Sequence, residues 1–147
     1  MNTDFTIASN EPMKFPGSID IAQVRIARPT DQLEALVAFY RDGLGLAELY
    51  RFTDHSGYDG LMLGLPGRAY HLEFTQHRAG SPCPAPSRDN LLVLYIPDAQ
   101  QLASLRDRLI RSGNEPVDPE NPYWLDRGLT FEDPDGWRVV LCGAQGI

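Results

Sequence analysis

Tyr70-His71-Leu72-Glu73-Phe74-Thr75-Gln76-His77 is the stretch from which the rest of the chain can be read. At a period of two it sets His71, Glu73, Thr75 and His77 on one face and Tyr70, Leu72, Phe74 and Gln76 on the other. The second set suits a strand packed beneath a helix. The first is ionisable, and ionisable side chains on the concave side of a sheet mark a candidate site.

Upstream of this strand, Ala47 to Phe52 and Tyr58 to Leu65 read as two more strands, with turns at Asp54 to Gly57 and Pro66-Gly67. Before them, Asp31 followed by Glu34 is a capping-box pattern, and Leu33, Leu36, Val37 and Tyr40 recur at helical spacing. Gly43 is the expected helix stop. A first strand runs from Ile21 to Ala27, with Ala22, Val24 and Ile26 on one face and Ile21, Gln23, Arg25 and Ala27 on the other; Pro29 ends it. Downstream, Arg78 to Asp89 holds Pro82, Pro84 and Pro86 close together, an extended connector.

The same order then repeats. Leu91 to Ile96 is a strand, Asp98 and Gln101 repeat the cap, Leu102, Leu105 and Leu109 mark the buried side of a second helix, and Gly113 stops it. A short strand around Glu115 to Val117 and a loop with Tyr123 and Trp124 lead to a hairpin, Leu129 to Glu132 and Trp137 to Cys142, turned by Asp133-Pro134-Asp135-Gly136. The pattern is βαβββ twice, an α+β chain. Halves this small bury too little alone and are expected to pair into one eight-stranded cup. The resulting division is an arm over residues 1–18, module one over 19–77, a connector over 78–89 and module two over 90–147.

Composition narrows the function. The net charge of −7 argues against nucleic acid, which needs a basic face. No apolar run approaches the roughly 18 residues of a membrane span. Met1 to Ser18 has no apolar core of the kind a signal peptide carries, so the cytoplasm is the expected compartment. Cys83 and Cys142 lack the CxxC spacing of zinc or redox sites; Cys142 reads as a core residue and Cys83 as a loop thiol.

Phe39-Tyr40 with Leu44-Gly45-Leu46, Leu72-Glu73-Phe74, and Asp133-Pro134-Asp135-Gly136, in this order on this repeat, resemble the vicinal oxygen chelate superfamily. That superfamily includes glyoxalase I, extradiol dioxygenases, and fosfomycin and bleomycin resistance proteins. The resemblance spans Ile21 to Gly143 and includes an uncharacterised bacterial branch. It implies a homodimer, and in the metalloenzymes a ligand on the first and last strand of each half. Glu73 matches one such position. The first strand offers Arg25 or Gln23, depending on alignment, and the second half offers Asn90 or Leu91 and then Val140. Valine ligates nothing and arginine repels a cation. The resemblance therefore implies a small-molecule binding protein that holds its ligand without the usual metal or any other cofactor. The alternative is a divalent-metal lyase, isomerase or dioxygenase like glyoxalase I, with Glu73 as a ligand.

Within that frame Glu73 and His71 are the candidate acid–base pair. An ion pair between Arg25 and Glu73 is expected to take over the metal's charge-compensating role. Gln23, Arg25, Tyr58, Tyr123, Trp124 and Arg138 are the candidate ligand contacts. For His71 a hydrogen-bonded strand histidine is the competing reading, and for Tyr123 and Trp124 packing against a neighbouring module or subunit.

Overall fold

The computed structural model describes residues 19–147; the N-terminal arm assigned to residues 1–18 lies outside them. The order is β1 (Val24–Pro29), α1 (Leu33–Val37) running into a π turn (Ala38–Gly43), β2 (Ala47–His55), β3 (Tyr58–Gly64), β4 (Tyr70–His77), β5 (Leu91–Tyr95), α2 (Ala99–Arg111), a short 3-10 turn (Pro122–Trp124), β6 (Gly128–Glu132) and β7 (Arg138–Cys142). The first sheet has the order β1-β4-β3-β2 and the second β5-β7-β6. In each, the module's first strand lies parallel to its last. Val117 bridges Thr130 where β2 flanks β3 in the first half. The repeat is therefore real, with seven strands and one bridge among the described residues in place of eight. The strand expected at Glu115 to Val117 shrinks to that bridge because Pro116 has no N–H to donate and Pro119 follows.

The helix of module one starts differently from its sequence signal. Asp31 does not cap it; its carboxylate accepts from the Ser81 backbone N–H. The cap comes from β4, where the Gln76 side chain accepts from Leu33 N at 2.9 Å and donates to Asp31 O at 3.1 Å. In module two Asp98 does accept from the backbone of Gln100 and Gln101, at 2.8 and 3.1 Å. Gly43 is not the left-handed stop, a role that falls to Gly45 at φ +85°. At Gly43 a Cβ would meet Leu109 Cδ2 at 3.3 Å, which is where α2 packs on the π turn and the modules touch.

The core joins both halves: Leu36, Leu61, Leu63, Leu109, Phe131, Val139 and Leu141 are fully buried. Cys142 is buried as expected. β1 starts three residues later than its pattern suggested and runs on through Pro29. It is an edge strand, and Val24 and Ile26 are 46% and 57% exposed. No helix among the described residues is long and apolar enough to cross a membrane.

A polar joint locks the modules together. Arg28 on β1 pairs with both Asp133 and Asp135 of the β6–β7 turn. Its guanidinium lies between the Phe74 and Trp137 rings, 5.0 and 4.9 Å from their centroids. Tyr40 donates to Asp133 at 2.7 Å, and Thr30 and Gln32 reach Asp135 at 2.8 and 2.6 Å. The Asp135 and Trp137 backbone N–H groups close the turn on Asp133. Burial holds the Tyr40 hydroxyl well above its ordinary value, which keeps it a donor. Burial also pushes the Asp133 carboxyl up, while the Tyr40 hydroxyl and Arg28 pull it back down.

Arg28→Met is expected to cost about 3–5 kcal/mol near pH 8, the penalty for stranding a buried charge. Without Arg28 the Asp133 carboxyl rises further, so protonation on acidification relieves the variant first. Urea unfolding at about pH 8 and pH 5 should give a smaller deficit at the lower pH. An equal deficit at both would show that Asp133 does not depend on Arg28.

Candidate functional site

β4 lies between β1 and β3, and the registers build a map of the sheet face away from α1. One row across the strands is Arg25, His71 and Gly64; the next is Ala27, Glu73, Met62 and Tyr50; the third is Pro29, Thr75, Gly60 and Phe52. Leu61 and Phe74, on the opposite face, are buried in the core. The parity of the strand is thus the one its sequence shows, with Phe74 against Tyr40 at 4.8 Å and the ionisable set on the other side.

Three of the predicted residues come together there. Arg25 Nε donates to His71 Nε2 at 2.9 Å, Arg25 Nη1 lies 3.6 Å from Glu73 Oε2, and Arg25 Nη2 reaches Met62 Sδ at 3.4 Å. The Arg25 side chain is 47% exposed and that of Glu73 14%. His71 is buried. Accepting from Arg25 requires a lone pair on Nε2, so the ring proton sits on Nδ1. Nδ1 is buried without a partner among the described residues. His71 is therefore a strand histidine that seats the guanidinium, and Glu73 is the less exposed end of an ion pair whose open end is Arg25.

The other predicted contacts lie elsewhere in the single chain. Gln23 precedes β1 and is exposed. Tyr58 is half-exposed at the far end of the same face, its ring 4.6 Å from that of His77. Arg138 is buried, paired to Glu132 and donating to Asp118 O. It borders a cavity of about 370 Å³ between the modules, shared with Ile26, Phe74, Cys83, Leu92 and Trp137. Tyr123 and Trp124 stand edge-to-face at 4.9 Å and line a separate cavity of about 400 Å³ with Tyr95 and Arg127.

The sequence reading missed the aromatic part of the face. Phe52 lies over Gly60, where a Cβ would stand 2.4 Å from Phe52 Cζ. The Tyr50 ring is 6.4 Å from Phe52, and Leu49, Tyr50 and Tyr58 are 43%, 59% and 42% exposed. The available signal was the alternation of Gly60, Met62 and Gly64 on one side of β3, which leaves room beside long neighbours. A bulge between Glu48 and Tyr50 turns Leu49 and Tyr50 out of simple alternation and hides the pattern in β2.

As for metal, no group of three or more His, Cys, Asp or Glu suited to hold an ion occurs among the described residues. The two candidates that do meet, His71 and Glu73, are both engaged by Arg25. This donor set does not fit a divalent ion.

Comparison with known proteins adds to this geometry. Residues 24–75 match the model of the YycE-like N-terminal domain and residues 89–143 that of the YycE-like C-terminal domain. The chain is 51% identical over 130 residues to the protein YycE of Bacillus subtilis (strain 168), covering 88% of this chain and 94% of that one. The crystal structure of a YycE protein of unknown function from Bacillus subtilis matches with a TM-score of 0.85 at 50% identity over 92% of this chain and 98% of that one. The fosfomycin resistance protein FosX of Mesorhizobium loti shares the fold, with a TM-score of 0.63 at 16% identity over 82% of this chain and 90% of that one. So does an antibiotic binding protein from Streptomyces sp. CB03234, with a TM-score of 0.59 at 22% identity over 85% of this chain and 96% of that one.

Arg25→Leu should destabilise the fold by about 1–2 kcal/mol, because it strands His71 Nε2 beside Glu73. Adding His71→Leu should recover part of that loss. A double-mutant cycle by urea unfolding checks the coupling; strictly additive effects would show that the two side chains do not depend on each other.

Proposed function

Because the chain belongs to the YycE family of the vicinal oxygen chelate superfamily, alongside glyoxalase, bleomycin resistance and fosfomycin resistance proteins, we propose that it binds a small molecule on the Arg25–Glu73 face without a metal. The observation that carries this reading is the Arg25 guanidinium, held by His71 at 2.9 Å and paired with Glu73 at 3.6 Å. It supplies fixed positive charge beside the one carboxylate that matches a ligand position in the superfamily. Arginine does not deprotonate in proteins, so the charge is permanent and needs no ion.

In this reading His71 and Glu73 position and polarise the ligand. The ligand lies in a cup that a second copy of the chain closes, since Leu49, Tyr50 and Tyr58 would otherwise leave apolar surface open to water. Light scattering of the purified protein is expected to give twice the mass of the 16.4 kDa chain; a stable monomer at micromolar concentration would remove the second copy from this account.

Titration with Ni²⁺, Zn²⁺, Mn²⁺ and Fe²⁺, with metal content read by mass spectrometry, tests the main claim. The expected outcome is no stoichiometric binding in the wild type. One ion per chain that disappears in Glu73→Gln would replace this reading with a metal-dependent lyase, isomerase or dioxygenase.

A further inference from the structure

Resting on that reading, we infer that the ligand is a neutral aromatic molecule whose polar group both donates and accepts a hydrogen bond, such as a primary carboxamide or a hydroxyl. The first premise is charge. Arg25 and Glu73 cancel, and a His71 that accepts at Nε2 adds none. An anionic ligand drawn to Arg25 would stand against Glu73 in a chain of net charge −7, and a cationic one would stand against Arg25. A neutral group meets neither repulsion.

The second premise is the count of donors and acceptors. A guanidinium has five N–H groups. Among the described residues Nε serves His71, Nη2 touches only the weak acceptor Met62 Sδ, and Nη1 faces Glu73 beyond hydrogen-bond length. Glu73 in turn accepts no hydrogen bond from a described residue, and its ion-pair partner among them is Arg25. The face thus offers N–H donors and a carboxylate acceptor side by side. A carboxamide fills both with one group, its oxygen on Arg25 and its N–H on Glu73.

The third premise is the platform. Met62 and Glu73 share a row with Tyr50, and the adjacent row ends in Phe52 over Gly60. Side chains on one face of neighbouring rows lie about 6–7 Å apart along a strand. One compact molecule therefore reaches the polar pair and the rings together. Tyr50 and Phe52 are inclined at only 32°, an arrangement that receives a flat ring by offset stacking.

Calorimetric titration with 2-naphthamide, 2-naphthoate and 2-naphthylmethylamine, which share a ring and differ in charge, tests the inference. The expected result is saturable binding of 2-naphthamide at least tenfold tighter than either charged probe. Glu73→Gln leaves Arg25 uncompensated and should turn the preference toward 2-naphthoate by at least tenfold, while Phe52→Leu should weaken all three. The wild-type ranking does not depend on either variant folding. Equal affinity for the three probes, tighter binding of 2-naphthoate by the wild type, or saturable binding of none would overturn the inference. Binding of 2-naphthoate that Arg25→Gln abolishes would sink this ligand class while leaving the metal-free site standing. Binding of any probe only after a divalent ion is added would sink the site reading itself.

Discussion

Arg28 is the contact on which the relation between the two halves depends. Each half is a sheet with a helix on one side, too small to bury its own core. α2 on the π turn closes the apolar gap between them, but apolar packing is not directional. Arg28 adds direction: it fixes β1 to Asp133 and Asp135 at set angles between two aromatic rings, and Thr30, Gln32 and Tyr40 hold the same turn. With the pair removed, the core residues would still be apolar, and the direction would rest on the Thr30, Gln32 and Tyr40 hydrogen bonds to the turn.

β1 therefore does two jobs with two arginines an odd number of positions apart, which point to opposite faces. Arg28 points into the joint and is 11% exposed; Arg25 points to the open face and is 47% exposed. The joint holds the strand in place, and the strand's register on β4 then sets Arg25 opposite His71. The position of the candidate site follows from the joint, although no residue of the joint reaches the Arg25–Glu73 pair.

Much of this was legible because strands and helices write their period into the sequence. The parity of Tyr70–His77 and the doubled βαβββ order both follow from alternation and leucine spacing. The meeting of Arg25 with Glu73 was legible through the family resemblance, which sets both at ligand positions, and Arg25 keeps its parity on β1. What local pattern could not give was competition between partners. Asp31 and Glu34 read as a cap, but Gln76 from β4 took the Leu33 N–H while Ser81 drew the Asp31 carboxylate away. Tyr123 and Trp124 read as cover for the cup, but their place depends on how a loop of module two lies against Tyr95 and the C-terminal residues. Tyr40 and the Asp133–Gly136 turn carried the family likeness, and the structure shows why they belong together: they meet in the joint, at Tyr40 and Asp133.

A guanidinium is not a metal ion with different dimensions. A divalent ion binds oxygen in its inner shell, accepts electron density and lowers the pKa of what it holds. Arginine does none of this; it presents N–H groups in a plane and keeps its charge at every accessible pH. A face in which Arg25 stands beside Glu73 can orient a polar group and stabilise its charge distribution, but it has no means of activating a bound water as a zinc or manganese site does. In the proposed reading, the exchange of metal for guanidinium also sets the selectivity. A metal centre rewards anionic oxygen, whereas a paired guanidinium and carboxylate reward a ligand that is itself both donor and acceptor, because any net charge is attracted by one partner and repelled by the other. The chemistry that this face can recognise is therefore set by the pair as a unit rather than by either residue alone.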